Sequence, residues 1–167
     1  IGFEGLLILD ADALNRISES KLGTKFFIER KFQTWITPHN KEFFRLFPHI
    51  KSETNVGLAL TAAEEFNISV LLKGANSIVA DNKKAWQLYG TDSQTARAGL
   101  GDLLSGFVAG SSAIDLTFCR NIKTEFFAKY VLLHSFAASK CETGSNAFAI
   151  GDELSKLMRK RKMRQIS

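Results

Sequence analysis

A glycine-rich segment that ends in an aspartate contains the residue types best suited to chemistry. It reads Ala98-Gly99-Leu100-Gly101-Asp102-Leu103-Leu104-Ser105-Gly106 and leads into an apolar stretch typical of a helix. Glycines let a ligand approach the backbone, and the first N–H groups of a helix have no partner within it, so this pattern predicts an anion-binding site. A carboxylate beside a bound phosphate can accept the proton of a hydroxyl that attacks a nucleotide's terminal phosphate. Asp102 also fits a structural role, because a carboxylate at a helix start caps it for about 1 kcal/mol.

Three other polar segments each follow a short apolar run. Asp10-Ala11-Asp12-Ala13-Leu14-Asn15 follows residues 6–9, Thr37-Pro38-His39 follows residues 33–36, and Lys73-Gly74 follows residues 68–72. Ligands of open parallel sheets bind at the carboxyl ends of the strands, so we expect Asp12, His39 and Lys73 at one edge. Each of these residues also has a structural interpretation. Asp10 and Asp12 could cap the following helix, and we favour that role for Asp10. His39 could lie in a surface loop, and Lys73 could be solvated.

The elements that must position these groups alternate between strands and helices. Strands are predicted at 6–9, 33–36 and 68–72, with helices at 41–47 and 56–66 between them and a hairpin at 77–80 and 85–88. Three helices are predicted after that: one from Leu103, one over 126–138 that contains His134 as a core residue, and one from about Ala149. The spacing of Gly106 and Gly110 predicts close packing against a neighbouring helix. The alternation predicts an α/β fold with a largely parallel sheet.

Composition and charge limit the classes of protein to which the chain can belong. With 167 residues, of which 45% are hydrophobic and 23% charged, we expect one folded domain rather than two domains or a disordered chain. The formal net charge is +5. Six cations account for this excess: Lys156, Arg159, Lys160, Arg161, Lys162 and Arg164. Such a cluster is typical of a solvated helix end, so no nucleic-acid partner is predicted.

Cysteine usage and the start of the chain predict where the protein is found. Cys119 and Cys141 lie far apart, without a CxxC pair or a histidine at ligand spacing, so neither a zinc site nor a disulfide is expected. This use of cysteine predicts a reducing, cytoplasmic location. The sequence shows no charged leader and no apolar run near the length of about 18 residues that crosses a membrane, so no membrane partner is predicted. Because residue 1 is Ile and a strand follows at once, we expect that an upstream segment has been removed.

Four segments, taken in order, resemble a known family. They are Asp-Ala-Asp-Ala-Leu-Asn at 10–15, Thr-Pro-His-x-x-Glu-Phe-x-Arg-Leu at 37–46, Leu-Lys-Gly-Ala at 72–75 and Ala-Gly-x-Gly-Asp-x-Leu-x-Gly at 98–106. Together they resemble the ADP-dependent NAD(P)H-hydrate dehydratase family, which has the ribokinase-like superfold. The resemblance covers nearly the whole chain. It implies that residues 1–167 are the C-terminal part of one three-layer αβα domain, with a largely parallel central sheet and without its N-terminal part.

The resemblance also implies an activity and a role for each segment. The family uses ADP or ATP to phosphorylate a hydroxyl on the S form of NAD(P)H hydrate, and elimination of phosphate then restores NAD(P)H. By this resemblance Asp102 is the base, and the backbone of Gly99, Leu100 and Gly101 forms the anion hole. The implied nucleotide contacts are Lys73, Gly74, Ala75, Asn76, Ser77 and Gly101. The implied contacts with the hydrated dinucleotide are Asp12, His39 and Asp102. The nucleotide is accompanied by Mg²⁺, and no residue is implied as a metal ligand.

The sequence departs from the family pattern in several places. Leu100 stands where Ser or Thr is usual, Asn40-Lys41 where Pro-Gly is usual, and Thr91-Asp92-Ser93 where Gly-Asn-Pro is usual, while Arg97 is unexpected in its loop. These departures leave the rate and the nucleotide preference open. Without the family's N-terminal part, a sheet edge and an apolar face would be uncovered. We therefore expect the chain to work with that segment, with an epimerase domain upstream, or as a homo-oligomer.

Two alternative functions remain open on the sequence alone. A small-molecule kinase of the same superfold, acting on a vitamin precursor or a sugar, would use Asp102 in the same way. The Thr37-Pro38-His39 segment and the segment at 10–15 favour the dehydratase over this kinase. A non-catalytic subunit would bind nucleotide without substrate-dependent release of phosphate. The choice between ADP and ATP, and between NADH and NADPH hydrates, is also open.

Overall fold

The computed structural model describes residues 2–89, 99–142 and 144–164. The chain divides into two compact units, Ile1–Tyr89 and Gly90–Ser167. The first unit contains a sheet with its helices, and the described part of the second unit consists of three helices and their connections.

A five-stranded sheet in the order β1-β2-β3-β4-β5 forms the centre of the first unit. The strands are β1 (Leu7–Leu9), β2 (Thr34–Ile36), β3 (Ser69–Leu72), β4 (Ser77–Ala80) and β5 (Ala85–Leu88). The first three strands are parallel, with Ile8 opposite Trp35 and Trp35 opposite Ser69. The last two continue the sheet as an antiparallel hairpin. A parallel pair requires a long crossover whereas a hairpin needs only a turn, so the helices of this unit all precede β3.

Four helices pack in the first unit, and the core lies between them and the sheet. They are α1 (Ala11–Glu19), α2 (Lys25–Glu29), α3 (Asn40–Leu46) and α4 (Asn55–Phe66). Ile36 and Val70 of the sheet belong to one buried cluster with residues of these helices. Trp35 and Leu71, at alternate positions along the same strands, are also fully buried. Burial on both faces explains why these strands appear as continuous apolar runs in the sequence.

The second unit is built from α5 (Leu100–Leu116), α6 (Thr124–Lys140) and α7 (Ala147–Arg164). Its buried cluster contains Ala137, Ala138, Ile150 and Leu154, with Leu100, Leu103, Phe107, Cys141 and Leu157 packed against it. His134 is buried in α6, as predicted, and burial lowers its pKa to about 4. The hydroxyl of Tyr130 donates a hydrogen bond to the carboxylate of Asp115, which joins α6 to α5.

The structure confirms the predicted order of strands and helices and corrects three details. The helix predicted from Leu103 begins at Leu100, because Gly99 adopts a left-handed conformation (φ 82°) that turns the chain into the helix three residues earlier. Helix α1 agrees with the capping role favoured for Asp10, but α2 occupies a stretch that the sequence pattern predicted only as a polar segment. The predicted close packing at Gly106 and Gly110 is wrong: apart from the surrounding turns of α5, no described atom lies within 4 Å of a Cβ placed on either residue. Among the helices that the structure describes, none is long and apolar enough to span a membrane.

Candidate active-site residues

The parallel strands bring three of the predicted polar segments to one edge of the sheet. The N–H of Thr37 donates to the carbonyl of Leu9 at 3.0 Å, and the N–H of Lys73 donates to the carbonyl of Pro38 at 2.9 Å. A further parallel bridge joins His39 to Lys73. The segments that follow β1, β2 and β3 therefore meet at their carboxyl ends, which confirms the predicted placement.

Lys73 forms an ion pair at this edge rather than extending into solvent. Its Nζ lies 2.7 Å from Oδ1 of Asp10, and the side chains of the two residues are only 25% and 13% exposed. The same oxygen of Asp10 accepts the N–H of Ala11 at 2.9 Å, so Asp10 also caps α1. The sequence indicated the capping role of Asp10 but not its pairing with Lys73, which is 63 residues away.

His39 begins α3 and is held in place by a reciprocal pair of hydrogen bonds. Its Nδ1 accepts the N–H of Glu42 at 3.2 Å, while Oε2 of Glu42 accepts the N–H of His39 at 2.8 Å. Because Nδ1 accepts, the proton of the neutral ring resides on Nε2. Nε2 of His39 lies 3.5 Å from Oε1 of Glu42, which is almost fully buried, whereas the imidazole is 51% exposed. The carboxylate therefore holds in place a histidine ring that a ligand can still reach. Asn40 stands at the first helical position, where the proline usual in the family also fits.

Asp12 and the turn after Lys73 complete the candidate residues of the first unit. Asp12 is exposed in the first turn of α1, where the helix dipole favours a negative charge. Residues 74–76 form an exposed turn between β3 and β4. The buried Ser77 closes this turn, because its hydroxyl donates to the carbonyl of Gly74 at 3.2 Å. The turn thus presents backbone to solvent beside Lys73.

The second unit presents the candidate anion hole at the start of α5. The first hydrogen bond of the helix runs from the N–H of Leu103 to the carbonyl of Gly99 at 3.0 Å. The N–H groups of Leu100, Gly101 and Asp102 precede that bond, and among the described residues no side chain caps this end of the helix. Asp102 is exposed at the third helical position. Three backbone donors, the positive end of the helix dipole and one carboxylate therefore lie within a single turn.

Leu100 has a packing role that explains one departure from the family pattern. Its side chain packs against the apolar cluster of α6 and α7, so it stabilises the unit at a position where the family usually has a hydroxyl. Its N–H remains in the first turn of α5 beside that of Gly101. The other departures in this region, Thr91-Asp92-Ser93 and Arg97, lie outside the described residues, as does Ala98.

A cavity of about 510 Å³ lies between α5 and α7 within the second unit. It is lined on one side by residues of α5 from Asp102 to Ile114, and on the other by residues of α7 from Gly151 to Met158. Gly106 and Gly110 both line it, which explains why neither glycine touches a neighbouring helix. Within the described ranges no group of three or more His, Cys, Asp or Glu residues is placed to hold a metal ion, in this cavity or elsewhere.

Comparison with known proteins decides the family. The family model described as NAD(P)H-hydrate dehydratase matches residues 3–158, nearly the whole chain. The chain belongs to the NAD(P)H-hydrate dehydratase family. The bifunctional NAD(P)H-hydrate repair enzyme of Synechocystis sp. is 38% identical over 105 residues, which are 62% of this chain and 20% of that protein.

Solved structures show the fold to which this family member belongs. A ribokinase-like superfamily protein of Enterococcus faecalis is 23% identical with a TM-score of 0.71, and the match covers 93% of this chain and 52% of that one. The ADP/ATP-dependent NAD(P)H-hydrate dehydratase of Bacillus subtilis, co-crystallized with ATP/Mg²⁺, is 20% identical with a TM-score of 0.63, and the match covers 92% of this chain and 55% of that one. These likenesses confirm the predicted ribokinase-like α/β fold. The chain spans about a fifth of the length of the curated relatives it matches first and about half of these solved chains.

Two residues of the candidate site were absent from the set predicted by sequence. Asp10 was assigned only a capping role, and nothing in its local pattern indicates a partner 63 positions away. Glu42 could have been found, because a glutamate three residues after a helix N-cap is the second half of a capping box. Each of the two carboxylates fixes a candidate ligand-binding side chain, Lys73 in one case and His39 in the other.

Proposed function

We propose that this chain performs the ADP- or ATP-dependent dehydration of the S form of NAD(P)H hydrate to NAD(P)H. The match of the family model to residues 3–158 is the observation that carries the proposal. In this reaction the ring hydroxyl attacks the terminal phosphorus of the nucleotide, and the bond from that phosphorus to the nucleotide breaks. The phosphate ester formed on the ring is then eliminated with a proton from the neighbouring carbon. The products are NAD(P)H, phosphate, and AMP from ADP or ADP from ATP.

Asp102 is assigned the role of general base for the ring hydroxyl. Its exposed carboxylate lies in the first turn of α5, beside the N–H groups of Leu100 and Gly101. Donors aimed at a transferring phosphoryl group stabilise the charge that develops on its oxygens, and a carboxylate nearby can take the hydroxyl proton. Gly99, Leu100 and Gly101 are therefore assigned to the anion hole through their backbone, and Gly101 also to the nucleotide.

The edge of the sheet in the first unit is assigned to the ligands. Lys73 and the exposed turn at 74–76, closed by Ser77, are proposed to contact the nucleotide, because an ammonium is a suitable donor for phosphate and the turn lies directly beside it. His39 and Asp12 are proposed to contact the hydrated dinucleotide. His39 has the geometry for this role, since its proton-bearing Nε2 belongs to a half-exposed ring that Glu42 holds in place.

In this proposal the nucleotide is the phosphoryl donor, and Mg²⁺ accompanies it as a cofactor. Mg²⁺ is commonly held by substrate phosphates with only one or two carboxylates from the protein, so a dedicated cage of protein ligands is not required. The name of the B. subtilis family member, ADP/ATP-dependent, and its crystallization with ATP/Mg²⁺ support this assignment. When bound, the ion neutralises charge on the phosphates of the nucleotide.

The proposal extends to partners and location. We propose that residues 1–167 act as the C-terminal part of one dehydratase domain, together with the rest of that domain or an epimerase domain, and that the protein forms a homo-oligomer. The solved relatives support the assignment to part of a domain, because the chain spans about half of their length. A cytoplasmic location is supported by Cys119 and Cys141, which are both free thiols.

The decisive experiment follows recovery of NADH absorbance from its hydrate in the presence of ADP or ATP. It uses the chain as part of its native gene product and, in parallel, the chain by itself. We expect NADH, phosphate and the dephosphorylated nucleotide to form in equal amounts, and NADH to form only when nucleotide is present.

Three other results would assign a different function. Consumption of ATP with a vitamin precursor or sugar, and none with the hydrate, would indicate a small-molecule kinase. Nucleotide binding without hydrate-dependent phosphate release would indicate a non-catalytic subunit. If the native gene product neither bound nucleotide nor turned over the hydrate, the proposal as a whole would be contradicted.

A further inference from the structure

We propose that Asp10 is a positioning residue for the nucleotide, because its carboxylate fixes the ammonium group of Lys73 at the edge of the sheet. This inference rests on the proposed function, in which Lys73 contacts the nucleotide. It adds a residue to the nucleotide site that the sequence pattern indicates only as a helix cap.

The geometry of the pair is that of a strong, partly buried interaction. Oδ1 of Asp10 lies 2.7 Å from Nζ of Lys73, a distance typical of charge-assisted hydrogen bonds. The side chains are 13% and 25% exposed, so water and salt screen this pair less than they screen a surface pair. The surface pair between Lys156 and Glu153 is longer, at 3.2 Å, and its lysine is 67% exposed.

The backbone holds the carboxylate of Asp10 in position. The oxygen that contacts Lys73 also accepts the N–H of Ala11, at 2.9 Å. Ala11 has a φ of 46°, in the left-handed region that side chains other than glycine rarely adopt. Strained conformations of this kind persist where surrounding contacts impose them, and they are concentrated at functional sites. Two donors and a strained turn thus converge on one carboxylate oxygen.

A fixed ammonium suits phosphate binding for a physical reason. A lysine ammonium has three donors on a flexible stem, so one hydrogen bond to Asp10 leaves donor capacity for phosphate oxygens. Without that anchor, the nucleotide would have to order the Lys73 side chain when it binds, and the lost rotamer freedom would weaken its affinity. We expect Asp10→Asn to weaken ADP binding by about fivefold to tenfold.

A double-mutant cycle on ADP affinity tests whether Asp10 acts through Lys73. The variants are Asp10→Asn, Lys73→Met and the double variant, each in the full chain, with affinity measured by titration calorimetry. Asparagine caps helices as well as aspartate does, so α1 is retained. We expect Asp10→Asn to weaken binding in the wild-type background, and to change it by less than about twofold once Lys73 is replaced.

Two further variants separate positioning from folding and from net charge. Asp81→Asn is the matched control, because its carboxylate also accepts backbone N–H groups in the first unit, from Lys83 and Lys84, but it has no place in the proposed site. It should leave ADP affinity unchanged. Asp10→Ser caps a helix but cannot reach the ammonium, so it should weaken binding at least as much as Asp10→Asn.

Each remaining outcome overturns the inference. An equal loss in both backgrounds would show that Asp10 does not act through Lys73. A gain in affinity in Asp10→Asn would show that the carboxylate competes with the phosphates for the ammonium. If the wild-type chain bound no ADP, the proposed function and this inference would fail together. If the wild-type chain bound ADP and Asp10→Asn gave either an equal loss in both backgrounds or a gain in affinity, only the inference would be overturned.

Discussion

The carboxyl edge of the sheet in the first unit and the start of α5 in the second unit both contain candidate residues, but their polar groups differ in whether a side chain of the protein pairs with them. At the sheet edge the side chains pair with one another: Lys73 with Asp10, and His39 with Glu42. At the start of α5 no described side chain caps the first turn, and the N–H groups of Leu100 and Gly101 precede the first helical hydrogen bond.

The difference separates two ways of building a ligand site. Paired side chains have fixed positions before a ligand binds, so the sheet edge is suited to orienting substrates. Backbone donors that no side chain satisfies are suited to an anion that arrives and leaves, which is what phosphoryl transfer requires. The starts of α1 and α5 show the same contrast. Ala11 has a left-handed φ beside the capping Asp10, whereas the left-handed residue before α5 is a glycine and no side chain of the described residues caps that helix.

Replacement of Asp102 by asparagine should have the largest effect. The asparagine amide would retain a polar group of similar size but could not accept the hydroxyl proton, so we expect turnover to fall by about 10²–10⁴-fold. ADP affinity and the free energy of unfolding should change little, because Asp102 forms no capping hydrogen bond with the described part of the chain. The hydrate assay and urea unfolding measure the two quantities. Near-normal turnover in Asp102→Asn would show that Asp102 is not the general base. Asp81→Asn is the control and should retain turnover.

Acid should destabilise the second unit through His134. Its pKa is lowered to about 4 by burial, and Nε2 has no hydrogen-bond partner among the described residues. Since the unfolded chain binds this proton below about pH 6.5 and the folded chain only near pH 4, stability is complete above 6.5 and is lost as pH falls toward 4. We expect this residue to account for about 3 kcal/mol over that range.

Urea unfolding at several pH values measures the loss, and His134→Leu should flatten it. An unaltered slope in His134→Leu would show that the interior of the helical unit does not disfavour the charged imidazole. The contrast between the two units would then be limited to the first turn of α5.

A methyl group at Gly99 should cost stability through backbone conformation alone. The φ of 82° is unfavourable for alanine by about 1–2 kcal/mol, while the nearest atom to its Cβ would be Cβ of Ala147 at a comfortable 3.8 Å. Urea unfolding of Gly99→Ala should show this loss. Gly106→Ala, in the helix interior with open space around it, should instead gain about 0.5–1 kcal/mol. If Gly99→Ala lost no stability, α5 would not need a left-handed residue at its start.

Glycine at position 11 should have the smallest effect, and it should be favourable. Relief of the left-handed strain is worth about 1–2 kcal/mol, and the greater entropy of the unfolded chain offsets about 0.4–1 kcal/mol of it. Ala11→Gly should therefore raise the free energy of unfolding by up to about 1 kcal/mol, while Ala13→Gly, within α1, should lower it by about 0.5–1 kcal/mol. Urea unfolding of the two variants measures both changes. If both variants were destabilising, Ala11 would not be strained and the turn would not set the position of Asp10.

The sequence predicted the sheet edge well because its signals are local and strong. The apolar runs before Asp10, Thr37 and Lys73 end where polar residues begin, and parallel strands place such ends together. The β-hairpin over residues 77–88 was also evident, since a turn of charged residues separates its two runs. What joins these segments is not local: the pairing of Asp10 with Lys73 arises only once β1, β2 and β3 are adjacent.

The start of α5 was harder to predict because it depends on a dihedral angle. The segment from Ala98 to Gly106 offers several glycines at which a helix could begin, and the left-handed φ of Gly99 selects the first. The packing of Leu100 against the cluster of α6 and α7 could not be inferred either, since its partners lie far away in the chain. The cavity beside Gly106 and Gly110 depends on where α7 passes, which no helical pattern in α5 indicates.

The assignment of the anion hole is tested most directly by measuring whether the start of α5 binds phosphate. Backbone amide signals of Gly99, Leu100 and Gly101 can be followed by NMR while ADP, or inorganic phosphate, is added to the isotopically labelled chain. We expect these signals to shift and saturate together, and those of Lys73 and the turn at 74–76 to shift as well when ADP is added. Unchanged signals from Gly99, Leu100 and Gly101 at saturating ADP, while other parts of the spectrum respond, would contradict the assignment.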